Sequence, residues 1–445
     1  MSEILRSVGL DVGTTSTQLI LSELTVENRA GAFSVPEMAI TDRTILYRSS
    51  IHFTPLLDES RMDGVALRKI VEAEYRSAGI TRESVDTGAI IITGETSRKE
   101  NAQTVLQALS DLAGDFVVAT AGPDLESILA AKGSGAVNYS EKTGKTVLHM
   151  DIGGGTSNLA LIENGTIIQT GCLNVGGRLL KLDKNGCVLY VSPVLSPLCT
   201  LKSGDYPTQA QLSALTQILT QVLEMSAGLR TPTPLLELLT TQETGKNWIP
   251  PENPPVISFS GGIADCIETR HEFLAFGDIG PLLGQTIRES ALCRGHYILG
   301  RETIRATVIG AGCHATQLSG STVFCQNVAL PLKNLPVLDT IPSKTDHPTP
   351  IYALEGISSP NYPQIVHLAE RLIAQIPPPY YFCIRQDMAK ALGQALAVRL
   401  PKEASILCLD RIAVSQGSYL DVAPPVAHAF PVVIKTLVLG NATKE

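Results

Sequence analysis

Short apolar runs and apolar positions at helical spacing alternate along the first part of the chain, a pattern typical of an α/β fold. Two apolar runs separated by a short turn, at 5–10 and 17–24, predict a β-hairpin. A helix is predicted over 64–78, where apolar residues share one face and Gly79 is placed to end it. The other elements predicted in this part are a strand at 88–93, a helix at 98–112, a strand at 116–119 and a short helix at 124–131.

The pattern of the N-terminus starts again near residue 146. A strand at 146–150, a turn at 153–157 and a strand at 158–163 repeat the order of the first hairpin. A long amphipathic helix at 209–227 and a strand at 256–259 follow. The second part of the chain therefore has the same α/β character as the first.

The last part of the chain has a different composition. From about Ser319 onward the texture changes, with proline clusters at 348–350 and 377–379, whereas the proline-rich loop at 248–255, expected to be exposed, belongs to the second part. A helix is predicted at 363–376. We predict three domains on these grounds, at 1–140, 141–318 and 319–445.

Composition and charge exclude several classes of protein. The chain has 445 residues, of which 44% are hydrophobic and 18% charged, as in compact folded proteins. Its net charge of -8 argues against general binding to nucleic acid or to an anionic membrane, because both are polyanions. No apolar run approaches the ~18 residues that span a bilayer, and no secretory signal is visible, so we expect a cytoplasmic protein. The nine cysteines include no C-x-x-C pair, so any metal is expected to bind through oxygen ligands.

One motif occurs twice without a gap, and it carries the candidate chemistry. Asp11-Val-Gly-Thr-Thr-Ser-Thr-Gln and Asp151-Ile-Gly-Gly-Gly-Thr-Ser-Asn each follow an apolar strand and precede another. Glycines let backbone N–H groups approach phosphate oxygens, and hydroxyl groups add donors. A carboxylate at this place can hold a hydrated magnesium ion through water. Two such turns can bind one polyphosphate from opposite sides.

Simpler or more familiar motifs explain these residues less well. A single D-x-G is most often an ordinary hairpin turn, but the ungapped repeat disfavours that explanation. Gly144-Lys145-Thr146 resembles the end of a P-loop, yet the first glycine of that motif would fall at Tyr139. No G-x-G-x-x-G follows a strand, so a Rossmann nucleotide site has no support.

The repeated motif resembles the phosphate-1 and phosphate-2 motifs of the actin-like ATPases, the superfamily of Hsp70 chaperones, sugar kinases and exopolyphosphatases. The segment 256–264 resembles their adenosine motif, and 303–318 resembles their second connecting helix. The resemblance implies a ribonuclease H-like fold of two duplicated α/β domains around a nucleotide cleft, with a C-terminal extension, and ATP and Mg²⁺ as cofactors. It implies catalytic and metal-holding roles for Asp11 and Asp151. The nucleotide-binding residues it implies are Gly13, Thr14, Thr15, Ser16, Gly153, Gly154, Gly155, Thr156, Gly261, Gly262 and Gly310.

A first connecting helix is expected just before the second copy of the motif, where Asp124 and Glu126 lie in the first turn of the helix predicted at 124–131. Members of the superfamily use a carboxylate there to position or activate the attacking water. The sequence leaves open which of the two serves, and acidic residues in a first turn also stabilise a helix through its dipole. Glu95, after the strand at 88–93, is a weaker candidate.

Outside these motifs the chain resembles the reactivating factors of ethanolamine ammonia-lyase over essentially its whole length. Asn174-Val-Gly-Gly-Arg178 and Leu409-Asp-Arg-Ile-Ala-Val-Ser-Gln-Gly carry this resemblance in addition to the two turns. It implies a chaperone-like ATPase that releases damaged cobalamin from the lyase so that intact adenosylcobalamin enters. The lyase would hold the cobalamin, and association with the ethanolamine microcompartment is a further expectation.

Two alternatives stay open on the sequence. A small-molecule kinase of the same fold would use the carboxylate near the γ-phosphate to deprotonate a substrate hydroxyl. A nucleotide-regulated scaffold protein would use the same cleft to control assembly. An iron–sulfur activator of the same fold is disfavoured because the cysteine spacing offers no cluster site.

Overall fold

The computed structural model describes most of the chain. Its described residues are 2–13, 16–29, 38–58, 61–93, 101–102, 104–105, 109, 117–120, 123–241, 248–300, 302–314, 316–320, 322–339, 349–412, 414, 418–425 and 429–436. Predicted residues Thr14, Thr15 and Glu95 and much of the helix predicted at 98–112 lie outside these ranges. No helix within them is long and apolar enough to cross a membrane.

The first half of the fold is a mixed sheet with helices beside it. Its order is β3-β2-β1-β5-β6, and the short β4 also pairs with β2. The central β1 is antiparallel to β2 and parallel to β5. The elements are β1 (Glu3–Val12), β2 (Ser16–Asn28), β3 (Met38–Arg48), β4 (His52–Phe53), α1 (Gly64–Ala78), β5 (Thr87–Ile92), β6 (Val117–Thr120), α2 (Pro123–Gly133) and α3 (Ala136–Thr143).

The second half repeats this arrangement. Its sheet has the order β13-β12-β7-β8-β9, and the central β7 is antiparallel to β8 and parallel to β12, as β1 is to β2 and β5. The elements are β7 (Val147–Ile152), β8 (Ser157–Glu163), β9 (Thr166–Leu173), β10 (Leu180–Leu182), β11 (Val188–Val191), α4 (Gln209–Ser226), α5 (Pro234–Leu239), β12 (Val256–Ser260), α6 (Gly262–Glu268), α7 (Gly280–Glu289), β13 (Tyr297–Leu299) and α8 (Ala306–Ile309). The duplicated α/β architecture is the actin-like ATPase fold that the sequence predicts.

A third sheet of eight strands contains the C-terminal region, in the order β14-β21-β20-β16-β17-β18-β19-β15. The strands are β14 (Thr316–Leu318), β15 (Phe324–Gln326), β16 (Leu332–Leu338), β17 (Ile351–Leu354), β18 (Tyr380–Ile384), β19 (Ile406–Asp410), β20 (Ser418–Val422) and β21 (Pro431–Thr436), with helices α9 (Tyr362–Gln375) and α10 (Ala389–Arg399). The domain limits at 140 and 318 stay a prediction. Strand β14 lies before the second limit yet pairs with β21 in the third sheet.

Two helices join the halves, and glycines let their backbones touch. A methyl group on Gly133 of α2 would lie 1.9 Å from the carbonyl oxygen of Ala306 in α8. A methyl group on Gly310, just after α8, would lie 2.1 Å from the carbonyl oxygen of Leu129. Because a side chain would not fit at either place, the backbones of α2 and of the segment around α8 pack directly against each other.

The structure corrects two predictions. The helix predicted at 303–318 is only one turn, α8, followed by a π-helical turn at Gly310–His314, because Thr316–Leu318 pairs with β21 as a strand. The loop at 248–255 is not exposed throughout. Trp248 is buried, and its Nε1–H donates to the carbonyl oxygen of Ser226 over 2.9 Å.

Candidate nucleotide site

A cavity of about 450 Å³ lies between the two halves, and both copies of the repeated turn line it. Asp11 and Asp151 face this cavity, as does Glu126 of α2. Neither Asp124 nor Gly310 lines it. The predicted nucleotide-binding residues that line it are Gly13, Ser16, Gly153, Gly154, Gly155, Thr156, Gly261 and Gly262.

The two turns share a backbone hydrogen bond between equivalent residues. The N–H of Gly13 donates to the carbonyl oxygen of Ser16 over 2.9 Å, and the N–H of Gly153 donates to that of Thr156 over 2.9 Å. Each hydrogen bond closes a turn that directly follows the strand, so that the aspartate lies near the end of that strand. The sequence repeat is therefore also a structural repeat.

The first carboxylate, that of Asp11, is buried beside the next parallel strand. Thr93, which directly follows β5, donates its hydroxyl to Asp11 Oδ1 over 2.9 Å. Burial raises the pKa of Asp11 to about 7; the Thr93 hydrogen bond lowers it and the nearby Asp151 charge raises it further. In the part of the chain that the structure describes, Asp11 forms no ion pair that would offset this burial.

The second carboxylate, that of Asp151, is held by a hydroxyl in the equivalent place. Ser260, at the end of β12, donates its hydroxyl to Asp151 Oδ1 over 2.5 Å. His149 Nε2 lies 2.9 Å from the same Ser260 oxygen, and burial lowers the pKa of His149 to about 3, so its ring is neutral. Burial raises the pKa of Asp151 to about 6, against hydrogen bonds from Ser260 and Thr307 that lower it.

The two acidic residues of α2 have different surroundings. Asp124 Oδ1 accepts a short hydrogen bond from the Thr170 hydroxyl on β9. Glu126 instead lines the cavity that contains Asp11 and Asp151. Residues two apart on a helix point in different directions, so only one of this pair can face the cavity. The geometry favours Glu126 as the residue beside a bound phosphate.

Two amide side chains occupy equivalent places in the repeat and were not singled out by the sequence. Gln18 lies opposite Asp11 across the β1–β2 pair, and Asn158 lies opposite Asp151 across the β7–β8 pair. Gln18 Nε2 donates to the carbonyl oxygen of Ile304 over 3.1 Å, which directs Oε1 elsewhere. Gln18 Oε1 and Asn158 Oδ1 are buried and have no hydrogen-bond partner among the residues that the structure describes. The repeat itself was the signal that would have found them.

The side-chain oxygens of these residues fit a hydrated divalent cation. Asp11 and Asp151 are two buried carboxylates on the same cavity, and the amide oxygens of Gln18 and Asn158, which also line it, have no partner in the described part of the chain. Mg²⁺ in proteins keeps several waters and needs one or two carboxylates together with substrate phosphates. Among the described residues no cluster of three or more His, Cys, Asp or Glu has metal-holding geometry, so the cation would depend on this smaller oxygen set.

Arg178 and Asp278 also line the cavity, and sequence reasoning assigned neither to the site. Arg178 Nε donates to Asp278 Oδ2 over 3.2 Å. The stretch that ends in Arg178 was noticed for its family resemblance only. Asp278 lies a hundred residues later, and no local signal connects the two.

Removing the negative charge at Asp11 is expected to stabilise the protein in the absence of cation and nucleotide. The pKa of Asp11 is about 7 in the folded chain, against 3.8 ordinarily, so its ionised form opposes folding. The stability gain of Asp11→Asn should be near zero at about pH 4, grow as the pH rises, and level off above about pH 7. At ~1.4 kcal/mol per pKa unit the plateau is on the order of 4 kcal/mol.

Urea unfolding of both proteins between pH 4.5 and 8.5 measures this difference. The stability of either protein alone is less informative as a function of pH. Burial lowers the pKa of His149, so both proteins also lose stability for this reason as the pH falls. A difference that does not change with pH would contradict the raised pKa of Asp11.

The family model described as "Ethanolamine utilisation protein EutA" matches residues 3–440 of the chain. The chain belongs to this EutA family. Two relatives carry the name ethanolamine ammonia-lyase reactivase EutA. The Salmonella typhimurium protein is 37% identical over 463 residues, which cover 97% of this chain and 98% of the relative. The Escherichia coli protein is 38% identical over 470 residues, with the same coverage of 97% and 98%.

EutA membership confirms the resemblance read from the stretches at 174–178 and 409–417. Among solved structures, the Ppx/GppA family member of Aquifex aeolicus is 13% identical, with 69% of this chain and 97% of that chain covered and a TM-score of 0.42. That likeness is too weak to carry a conclusion. The EutA match, in contrast, spans all three sheets of the fold.

Proposed function

We propose that this protein is an ATP-dependent reactivating factor for ethanolamine ammonia-lyase. In this function it promotes the release of damaged cobalamin from the lyase, so that intact adenosylcobalamin can enter. Membership of the EutA family is the observation that carries the proposal, since its relatives are named as reactivases of that enzyme. Association with the ethanolamine microcompartment, which the resemblance implies, belongs to the same proposal.

The cavity supplies the groups that a nucleotide needs. The turns that begin at Gly13 and Gly153 line the cavity from opposite halves, and the turn at Gly153–155 would offer backbone N–H groups to phosphate oxygens. Asp11 and Asp151 would hold the divalent cation through its water shell, with Gln18 and Asn158 as additional acceptors. When bound, the cation supplies positive charge that offsets the phosphates. The glycines at 261 and 262 leave room for the nucleoside against bare backbone.

Hydrolysis requires a base beside the phosphate, and Glu126 is the carboxylate in place. It lines from α2 the same cavity that Asp11 and Asp151 line. In this role Glu126 takes a proton from the attacking water. Helix α2 is also one of the two helices that cross between the halves. The same helix therefore carries the proposed base, Glu126, and connects the two halves.

Nucleotide binding would act on the lyase through the relative position of the halves. The α2–α8 crossing connects them without side chains between the backbones. A nucleotide that contacts both turns favours the closed cleft, and its loss favours the open one. A difference in affinity for the lyase between these two states is sufficient to loosen the cobalamin site.

Recovery of lyase activity tests the proposal directly. Hydroxocobalamin-blocked ethanolamine ammonia-lyase is incubated with the protein, ATP, Mg²⁺ and adenosylcobalamin, and deamination is followed. We expect activity to return with ATP and not with adenosine. Absence of recovery would overturn the proposed function. ATP turnover that depends on a small hydroxylated substrate would indicate a kinase, and nucleotide-dependent pelleting would indicate a scaffold.

A further inference from the structure

Most of the ionisable side chains that line the cavity are acidic, although a polyphosphate is itself an anion. Five carboxylic acids line it, on Asp11, Glu126, Asp151, Asp265 and Asp278. Of the lining residues that the structure describes, Arg178 is the one arginine, and none is a lysine. A divalent cation offsets only part of the charge of a nucleoside triphosphate. The guanidinium of Arg178 is therefore the permanent positive charge that such a ligand meets here.

The backbone fixes Arg178 against the second turn. The N–H of Arg178 donates to the carbonyl oxygen of Gly154 over 2.6 Å, and the N–H of Gly177 donates to that of Gly153 over 3.2 Å. A methyl group on Gly176 would lie 2.3 Å from the same Gly154 oxygen. Two hydrogen bonds and a glycine contact therefore set Arg178 beside the backbone that would receive phosphate.

Asp278 occupies only part of the hydrogen-bonding capacity of the Arg178 guanidinium. Arg178 contacts Asp278 through Nε, and its Nη groups form no hydrogen bond within the part of the chain that the structure describes. Its side chain is 28% exposed, whereas that of Asp278 is 8% exposed. The remaining N–H groups of the guanidinium fork can bind two oxygens of an anion at once.

Asp278 is able to give up this partner. Its Oδ1 accepts the N–H of Gly280 at the start of α7 over 2.8 Å, so the carboxylate stays anchored without Arg178. Burial raises the pKa of Asp278, while the Gly280 and Arg178 contacts lower it. A carboxyl group in this position can take up a proton when the arginine leaves, which limits the cost of separating the pair.

We propose that Arg178 binds the phosphate chain of the nucleotide and exchanges Asp278 for phosphate oxygens when the nucleotide enters. This inference rests on the proposed function, because it needs a nucleotide in the cavity. In the absence of nucleotide, the ion pair with Asp278 keeps the guanidinium of Arg178 occupied. Asp278 then competes with phosphate for one guanidinium, and its removal favours the bound form.

The same half of the protein contains a matched control pair. Arg230 Nε donates to Glu224 Oε2 over 2.8 Å, and Glu224 is buried. Glu224 Oε1 accepts the N–H of Ala291, as Asp278 accepts that of Gly280. Neither Arg230 nor Glu224 lines the cavity. The two pairs share their chemistry and differ in their access to the site.

Calorimetric titration with ATP and with adenosine, in the presence of Mg²⁺, tests the exchange. Arg178→Gln should weaken ATP binding by roughly 10- to 100-fold, the range for a charge-assisted hydrogen bond, and change adenosine binding by less than about 2-fold. Arg178→Lys should recover part of the loss, since it keeps the charge without the fork. Asp278→Asn should strengthen ATP binding about 3-fold or more. Arg230→Gln should leave both ligands unchanged.

The outcomes separate the two proposals. Equal losses for ATP and adenosine in Arg178→Gln, or no loss at all, would overturn the role of Arg178 while nucleotide binding by the unaltered protein stands. If the unaltered protein binds no ATP, the proposed function fails, and the inference fails with it. Should Arg178→Gln not fold, the comparison of Asp278→Asn with the unaltered protein decides, and weaker ATP binding there would contradict the exchange.

Discussion

Asp151→Asn is expected to weaken magnesium-dependent ATP binding by about 100-fold or more and to abolish reactivation of the lyase, without unfolding the protein. The substitution removes one of two buried carboxylates that face the same cavity. Asparagine keeps an oxygen for the Ser260 hydroxyl, so the local hydrogen bond survives. Asp11→Asn should act in the same direction, because Asp11 occupies the same place in the repeat.

The measurement is ATP affinity as a function of Mg²⁺ concentration, combined with the reactivation assay. Asp410→Asn is the matched control, since Asp410 is a fully buried carboxyl whose pKa burial also raises, and it lies in the third sheet away from the cavity. We expect that control to alter stability and to leave ATP binding unchanged. Unaltered magnesium dependence in both Asp11→Asn and Asp151→Asn would refute the assignment of the site.

Glu126→Gln is expected to slow ATP turnover by roughly 100- to 10,000-fold while ATP affinity changes little, because the role proposed for Glu126 is proton transfer rather than binding. Its neighbour on the same helix provides the comparison. Asp124 is hydrogen-bonded to Thr170 and does not line the cavity. Asp124→Asn should therefore change turnover by less than about 3-fold.

Single-turnover hydrolysis with saturating ATP and Mg²⁺ separates the two variants. A large loss in Asp124→Asn together with normal turnover in Glu126→Gln would reverse the assignment. If the lyase must be present for turnover, the same comparison is made with the lyase added at a fixed concentration. Reactivation yields should follow the hydrolysis rates in both variants.

Local pattern was sufficient to predict the doubled hairpin. Strand, turn and strand are each specified within about twenty residues, and both copies fold as predicted, at Glu3–Asn28 and Val147–Glu163. The duplicated sheet order follows, since a repeat that folds once in a given way folds so again. The role of the two aspartates remains a prediction, which the substitutions above are designed to test.

Other features depended on contacts that the local sequence does not contain. Small residues at 303–318 favour a packed helix, but pairing of Thr316–Leu318 with β21, more than a hundred residues later, shortens it. Trp248 stands in a proline-rich stretch and is nevertheless buried, against Gly171 of β9. Asp124 and Glu126 have the same chemistry in sequence, and only the position of α2 distinguishes them.

The C-terminal sheet is also placed by distant contacts. Val433 of β21 packs with Ala89 and Ile91 of the first half and with Leu129 and Ala311 near the helix crossing. The Thr87 and Thr316 hydroxyls lie 2.9 Å apart. These contacts fasten the third sheet to the first half, a relation that neither the proline clusters nor the predicted helices revealed.

The residue two positions before each aspartate differs between the copies, and the two residues have different structural roles. In the first copy it is Gly9, whose missing side chain admits the backbone of Val308 and Gly312. In the second copy it is His149, whose ring supports the Ser260 hydroxyl. Equivalent positions of the repeat thus have two uses, a close contact between backbones in the first copy and a polar network in the second. Exchanging these two residues would remove the close backbone contact of the first copy and the support of the Ser260 hydroxyl in the second. Neither copy would gain the contact of the other.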